Sequence, residues 1–192
     1  MLARACSTVP TMSVIMPIAE SQAYLAVPLF RAVLEASDGQ YPPRHRVSDE
    51  GGLYQWLTLT SNVERLVAVD SALGIVGYVQ SRLVTTASSR ATINAVDYYT
   101  AAFAGTQLAD LDRVAVVQRL TVHPGYRGRG QARALLSEMS RKINNTGKTP
   151  VAVITADNQA SRQLFASCGW LLANRYIGNA GVAMTTYFLP YR

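Results

Sequence analysis

The segment Val114-Ala-Val-Val-Gln-Arg-Leu-Thr-Val-His-Pro-Gly-Tyr-Arg-Gly-Arg-Gly-Gln-Ala132 holds the residues of this chain best suited to chemistry. An apolar, β-rich run leads into Arg127-Gly-Arg-Gly-Gln-Ala132, and a helical pattern follows at once. Gly128 and Gly130 let the backbone approach a ligand with no Cβ in the way. The amides that open a helix lack acceptors within it and point outward, backed by the positive end of its dipole. Such a loop is suited to phosphate, and Arg127, Arg129 and Arg133 add positive charge beside it. A tight turn with no ligand would use the same Gly-x-Gly. A Walker loop is excluded, because no Gly-Lys-Ser/Thr follows. A dinucleotide fingerprint also fails, since the third glycine and the acidic residue of the next strand are missing.

Other reactive constellations are thin. His45 and His123 are the only histidines, and His123 sits beside the glycine loop, where a turn role suffices. Ser-His-Asp chemistry has no support, and no Cys/His cluster has the spacing of a metal site. Cys6 and Cys168 form no disulfide framework and are expected as free thiols in a reducing compartment.

Composition sets the wider bounds. The 192 residues suit one sizeable α/β domain, and 49% hydrophobic against 16% charged residues suits a packed core. The net charge is +6, from 18 basic and 12 acidic residues, and only Lys142 and Lys148 of the basic residues are lysine. Arginine favours bidentate contact with phosphate, although a solvated surface explains the excess as well. No block of like charges marks a nucleic-acid tail, and no apolar stretch approaches the ~20 residues of a membrane span. Residues 1–12 lack a signal-peptide core and are expected to fray, and a cytoplasmic setting is the default expectation.

The elements that must position the loop follow from periodicity. Residues 13–18 are expected as a strand and 21–36 as a helix that Pro28 kinks or splits. A loop over 38–46 and a short helix over 49–59 come next. Residues 65–70 and 75–85 form a hairpin about a turn at 71–74. Residues 86–112 suggest a helical insertion or flap. A strand over 114–122, a loop over 123–128 and a helix over 130–145 carry the glycine motif. Ala132, Leu135, Leu136, Met139 and Ile143 give that helix one apolar face. A strand over 150–155, a helix over 159–168 and a hairpin of 171–176 with 182–189 complete the chain.

Val122-His-Pro-Gly-Tyr-Arg-Gly-Arg-Gly-Gln-Ala132 resembles motif A of the GNAT N-acetyltransferase superfamily, Gln/Arg-x-x-Gly-x-Gly/Ala, at Arg127, Gly130 and Ala132. Further on, Asp157-Asn-Gln-Ala-Ser-Arg-Gln-Leu-Phe-Ala-Ser-Cys-Gly-Trp170 resembles motif B, where Asn opens a helix that ends in Gly-aromatic. The resemblance is strong over 114–170 and weak before it. It implies a single α+β domain over 1–192, with a mixed, mostly antiparallel sheet of about seven strands flanked by helices. That sheet should splay between the strands ending near Val122 and Thr155.

The resemblance also implies acetyl-CoA as acyl donor and a primary amine as acceptor, with no metal. Leu120 and Val122 would pair with the pantetheine arm. The amides from Arg127 through Gly128, Arg129, Gly130 and Gln131 to Ala132 would hold the pyrophosphate. Asn158 would contact the arm or merely cap its helix, and Phe165 would lie against the cofactor. The Val122 amide would serve the oxyanion. Many relatives carry a tyrosine acid four residues before the motif B glycine, where this chain has Phe165. Some place a glutamate base on the cofactor strand, where Gln118 and Arg119 are the only polar residues here. Ser161, Cys168, Tyr176 and Tyr187 remain as acid candidates, alongside a reaction with no dedicated acid. A degenerate member that binds acyl-CoA or nucleic acid is the alternative. The acceptor is a small molecule or a protein amine; Asp97, Asp110, Asp112, Tyr98, Tyr99 and Phe103 could face it, or simply solvate and pack. Neither membrane nor nucleic acid is an expected partner, and a homodimer is compatible with the sequence.

Overall fold

The structure, a computed structural model, describes residues 13–36, 63–84, 102–106, 113–178 and 181–190. The expected loop over 38–46, the expected helix over 49–59 and most of 86–112 lie outside the described residues. Strand β1 (Val14–Pro17) is followed by a 3-10 helix (Glu20–Ala26) and helix α1 (Val27–Ala36). The single expected helix is thus two pieces, parted between Ala26 and Val27, just ahead of Pro28. With no N–H to give, Pro28 fits the first turn of α1 and no later one.

Strands β2 (Val63–Asp70) and β3 (Gly74–Leu83) form the expected hairpin. Then come β4 (Val114–Val122), α2 (Gln131–Asn144), β5 (Thr149–Thr155), α3 (Gln159–Ser167), β6 (Leu171–Ile177) and β7 (Ala183–Phe188). Among the described residues these strands make one seven-stranded sheet in the order β1-β2-β3-β4-β5-β7-β6. Only the β4–β5 pair is parallel. A parallel pair needs a crossover, and α2 supplies it.

Alternation along the strands builds a core on each face. Leu66, Ala68, Ala115, Val117, Ala152 and Ile154 face α2 and α3, meeting Leu135, Leu136, Met139 and Phe165. Their neighbours on the strands point the other way. Val67 and Tyr78 pack under Leu29, Phe30 and Val33 of α1, and Val114, Val116 and Val151 meet Ala102 and Phe103. Each buried leucine or methionine of α2 contributes about 1.5–3 kcal/mol by leaving water. The glycine loop is therefore mounted on a rigid helix.

The sheet is not continuous at its parallel seam. β4 and β5 pair only at Val114↔Thr149, Ala115↔Pro150 and Val116↔Val151. Beyond Val116 they part, as the splay implied by the motif resemblance requires. A bulge drives this: β3 pairs with β4 at Gln80↔Gln118, then resumes at Tyr78↔Thr121. Inside the bulge Arg119 adopts φ 57°, a left-handed conformation that costs an L-residue about 1–2 kcal/mol. Its guanidinium donates to Gln80 Oε1 at 3.1 Å, and the Tyr78 hydroxyl donates to the same oxygen at 2.8 Å. An extra residue bends and twists a strand, which turns the end of β4 away from β5.

Close approach of α2 to the sheet depends on Gly77. A Cβ there would lie 2.8 Å from Leu135 Cδ1 and 3.2 Å from Ala68 Cβ. Gly77→Val should therefore overpack this contact and destabilise the fold by about 1–3 kcal/mol. Thermal unfolding measures it, and an unchanged Tm would show that α2 has room to retreat.

Candidate functional site

The parted strands open a cleft of about 810 Å³. Its floor is Leu120, Thr121 and Val122 on β4, and its far wall is Asn158, Ala160, Ser161 and Leu164 at the start of α3. Tyr126, Arg127, Gly128, Gly130, Gln131, Ala132 and Arg133 close the near side, and Val33 of α1 reaches it from the other face of the sheet. A smaller cleft of about 380 Å³ adjoins it and shares Leu120, Asn158 and Ser161. Gln118, Arg119 and Phe165 line that second space.

Backbone direction decides what the cleft floor offers. His123 N–H donates to Val76 C=O at 2.8 Å, toward β3. Successive amides of a strand alternate between its edges, so the Val122 N–H points to the β5 side, and Leu120 shares that direction. There β4 has no paired strand among the described residues. A linear ligand with amide groups could continue the sheet at this edge.

The glycine loop presents donors of another kind. Pro124–Tyr126 forms a short 3-10 turn in which His123 Nδ1 accepts the Gly125 amide at 3.2 Å. His123 therefore has the turn role that its position suggested. Gly128 and Gly130 take φ 73° and 80°, conformations that glycine adopts freely. Gly130 is the N-cap of α2, no side chain caps the helix, and its first internal bond runs from the Ala134 amide to Gly130 C=O at 3.0 Å. The amides of Gly130, Gln131, Ala132 and Arg133 thus have no acceptor within the helix. They combine with the helix dipole to favour an anion at the cleft.

Of the three loop arginines, Arg133 is tied to α3, donating to Ser167 O at 3.3 Å and Ser167 Oγ at 3.2 Å. Arg129 lies over the Tyr126 ring, 5.1 Å from its centroid. Arg127 lines the cleft. Asn158 caps α3, its side chain accepting the Ser161 amide at 3.1 Å. The cap accounts for Asn158 whether or not a ligand touches it.

The sequence candidates for catalysis separate. The Val122 backbone and Ser161 line the large cleft. Phe165 is buried against Trp170, edge to face with centroids 4.7 Å apart, and reaches only the smaller cleft. Tyr187 stacks near Phe165 in the same core. Tyr176 packs on the opposite face with Ala102 and Phe103, away from the cleft lining. Cys168 ends α3 and lines a separate depression with Trp170 and Leu189. Among the described residues no aspartate, glutamate or histidine lines the large cleft. Among the described residues no group of three metal-type ligands comes together, and no helix is long and apolar enough to cross a membrane. Sequence reasoning did not foresee Tyr126 and Val33 as cleft residues. Tyr126 lay inside the quoted motif, whereas nothing in the spacing of α1 marked Val33.

The family model described as FR47-like protein matches residues 104–177, which span β4 to β6 with the loop and both helices of the cleft. No curated protein sequence matches this chain. Solved structures do. The yncA protein of Salmonella typhimurium, with its cofactor acetyl-CoA, is 19% identical at TM-score 0.64 and covers 95% of each chain. Arabidopsis thaliana NAA60 in complex with acetyl-CoA is 17% identical at TM-score 0.59, covering 92% of this chain and 97% of its own. The ribosomal-protein-S18-alanine N-acetyltransferase of Escherichia coli is 15% identical at TM-score 0.58, covering 94% of each. The fold is that of the GNAT superfamily.

Asn158→Ala removes the α3 cap and should cost about 0.5–2 kcal/mol of stability. Asn158→Ser, which can still cap, should recover most of it in the same thermal unfolding assay.

Proposed function

We propose, with the GNAT fold as premise, that this chain transfers the acyl group of acetyl-CoA to a primary amine by direct attack on the thioester. One observation carries the reading: the gap between β4 and β5 opens onto uncapped helix amides and arginines in a single cleft. Acetyl-CoA has the matching parts, an anionic pyrophosphate joined to an extended amide-bearing arm. The amides of Gly130, Gln131, Ala132 and Arg133, with Arg127, hold the pyrophosphate. The β4 edge at Leu120 and Val122 takes the arm as an added strand. Structures of this fold solved with acetyl-CoA support acetyl-CoA as the ligand.

In the reaction, the amine nitrogen forms a bond to the acyl carbon and the carbon–sulfur bond breaks. The Val122 amide points into the gap and donates to the carbonyl oxygen as it gains charge. The amine proton passes to solvent and the thiolate leaves, since the described residues that line the large cleft include no carboxylate or imidazole to take that proton. Rate enhancement then rests on orientation more than on side-chain acid–base work. Small molecules and protein amines both suit this chemistry.

Gly130 provides the test. A Cβ there meets nothing within 4 Å, so its substitutions act through backbone strain and charge rather than crowding. Gly130→Asp should abolish acetyl-CoA binding in calorimetric titration, while Gly130→Asn, which tolerates the left-handed conformation, should retain part of it. Equal affinity for Gly130→Asp and wild type would sink the pyrophosphate assignment. Release of free thiol from acetyl-CoA with a panel of amines reports turnover, and binding without turnover would leave an acyl-CoA sensor. Phe165→Tyr should leave the rate unchanged, and a faster variant would show that thiolate protonation limits the wild type.

A further inference from the structure

Gln80 is fully buried within β3, a central strand, where an apolar side chain would pack without needing partners. It stands opposite Arg65 on β2 and Gln118 on β4. Its Oε1 accepts the Arg119 guanidinium at 3.1 Å and the Tyr78 hydroxyl at 2.8 Å. Arginine can only donate, so the oxygen of the Gln80 amide must be the atom that faces it. The nitrogen of that amide, Nε2, is buried with no hydrogen-bond partner among the described residues. An orphaned donor lowers stability, so the reason for a glutamine here lies outside core packing.

The reason is found at Arg119. Among the described residues it is the only one besides glycines with positive φ. It lies in the bulge, where Arg119 and Leu120 together face the single residue Val79. The extra residue shifts the alternation of β4 by one. It therefore decides which later amides face β3 and which face the gap. With the bulge in place, the amides of Leu120 and Val122 face the gap. A strained residue persists only where its surroundings over-determine it, and Gln80 grips Arg119 through its guanidinium. Tyr78 fixes Gln80 in turn, its ring edge to face with Phe30 of α1, centroids 5.3 Å apart. A line of contacts thus runs from α1 through β3 to the point where β4 leaves β5.

We infer that Gln80 is a positioning residue for acyl-CoA binding: it holds Arg119 in the left-handed conformation and so keeps the β4 edge amides turned toward the pantetheine arm. The role rests on the acyl-CoA reading of the cleft. Gln80 acts through Arg119 and does not touch the ligand. Without this grip the strained conformer loses population, and the apparent affinity falls with the competent fraction.

Calorimetric titration with acetyl-CoA separates conformation from contact. Arg119→Gly and Arg119→Ala both remove the guanidinium, but only glycine takes this φ without strain. Arg119→Gly should bind close to the wild-type affinity. Arg119→Ala should bind roughly five- to thirtyfold more weakly, the strain of one left-handed L-residue read as affinity. Gln80→Met removes the acceptor at similar volume and should lose a similar factor, whereas Gln80→Glu keeps an acceptor and should recover most of it. In the Arg119→Gly background Gln80→Met should weaken binding no further, because nothing strained remains to be held. A purely structural Gln80 would lower affinity equally in both backgrounds, and that result would overturn the role. Equal affinities for Arg119→Gly and Arg119→Ala would overturn it as well. Should Gln80→Met not fold alone, Gln80→Ala takes its place in the same two backgrounds, since any cavity it leaves acts equally in both. A wild type that binds no acetyl-CoA overturns the cleft reading and this role with it; a wild type that binds, with the two Arg119 variants alike, overturns the role alone.

Discussion

The rest of the structure depends on the short parallel pairing of β4 with β5. Three residue pairs join the strands, and a bulge at Arg119 then turns β4 aside. Had the pairing continued, the β4 edge would have spent its amides on β5 and the cleft would not exist. Both strands run in the same direction, so both lead into loops at the same end of the gap. Helices α2 and α3 follow those loops, and their N-termini flank the opening. The parting of two strands therefore produces an unpaired edge and two positive helix ends in one place, the general location of ligands at the carboxyl ends of parallel strands.

A site built from backbone donors needs a stiff mounting, because its donors cannot swing to find a ligand. The mounting is the apolar face of α2, with Leu135, Leu136 and Met139 fully buried against the sheet. Gly77 allows that helix to sit close, and Arg133 ties its first turn to the end of α3. The strained Arg119 is held by Gln80, itself shared with Tyr78. These contacts fix where amides point, which is what orientation-based transfer requires. They also fit a large cleft whose described lining carries arginines and hydroxyls but no carboxylate or imidazole.

Much of the fold was legible because its signals are local. The runs Val114–Val122 and Thr149–Thr155 are apolar and β-branched, and Leu135, Leu136, Met139 and Ile143 recur at helical spacing. Pro28 and the glycines at 128 and 130 announce backbone constraints that hold wherever the chain lies. The split of the first helix and the loop before α2 follow from those residue types. The candidates for proton transfer were less legible, since Ser161, Tyr176, Tyr187 and Cys168 all lie near the motifs in sequence. Only Ser161 lines the large cleft; Tyr187 and Cys168 lie behind α3, and Tyr176 lies across the sheet.

The sequence alone determined the loop's chemistry, since glycines ahead of a helix start, flanked by arginines, favour an anion through local geometry and charge. It also determined which helix faces are buried, because periodicity is a property of neighbouring residues. Tertiary structure decided where β4 leaves β5, because a bulge depends on which residue of β3 stands opposite. It decided as well that Val33 would reach the cleft beside Tyr126. Those contacts join residues distant in the chain, and nothing in either local segment encodes the other's position.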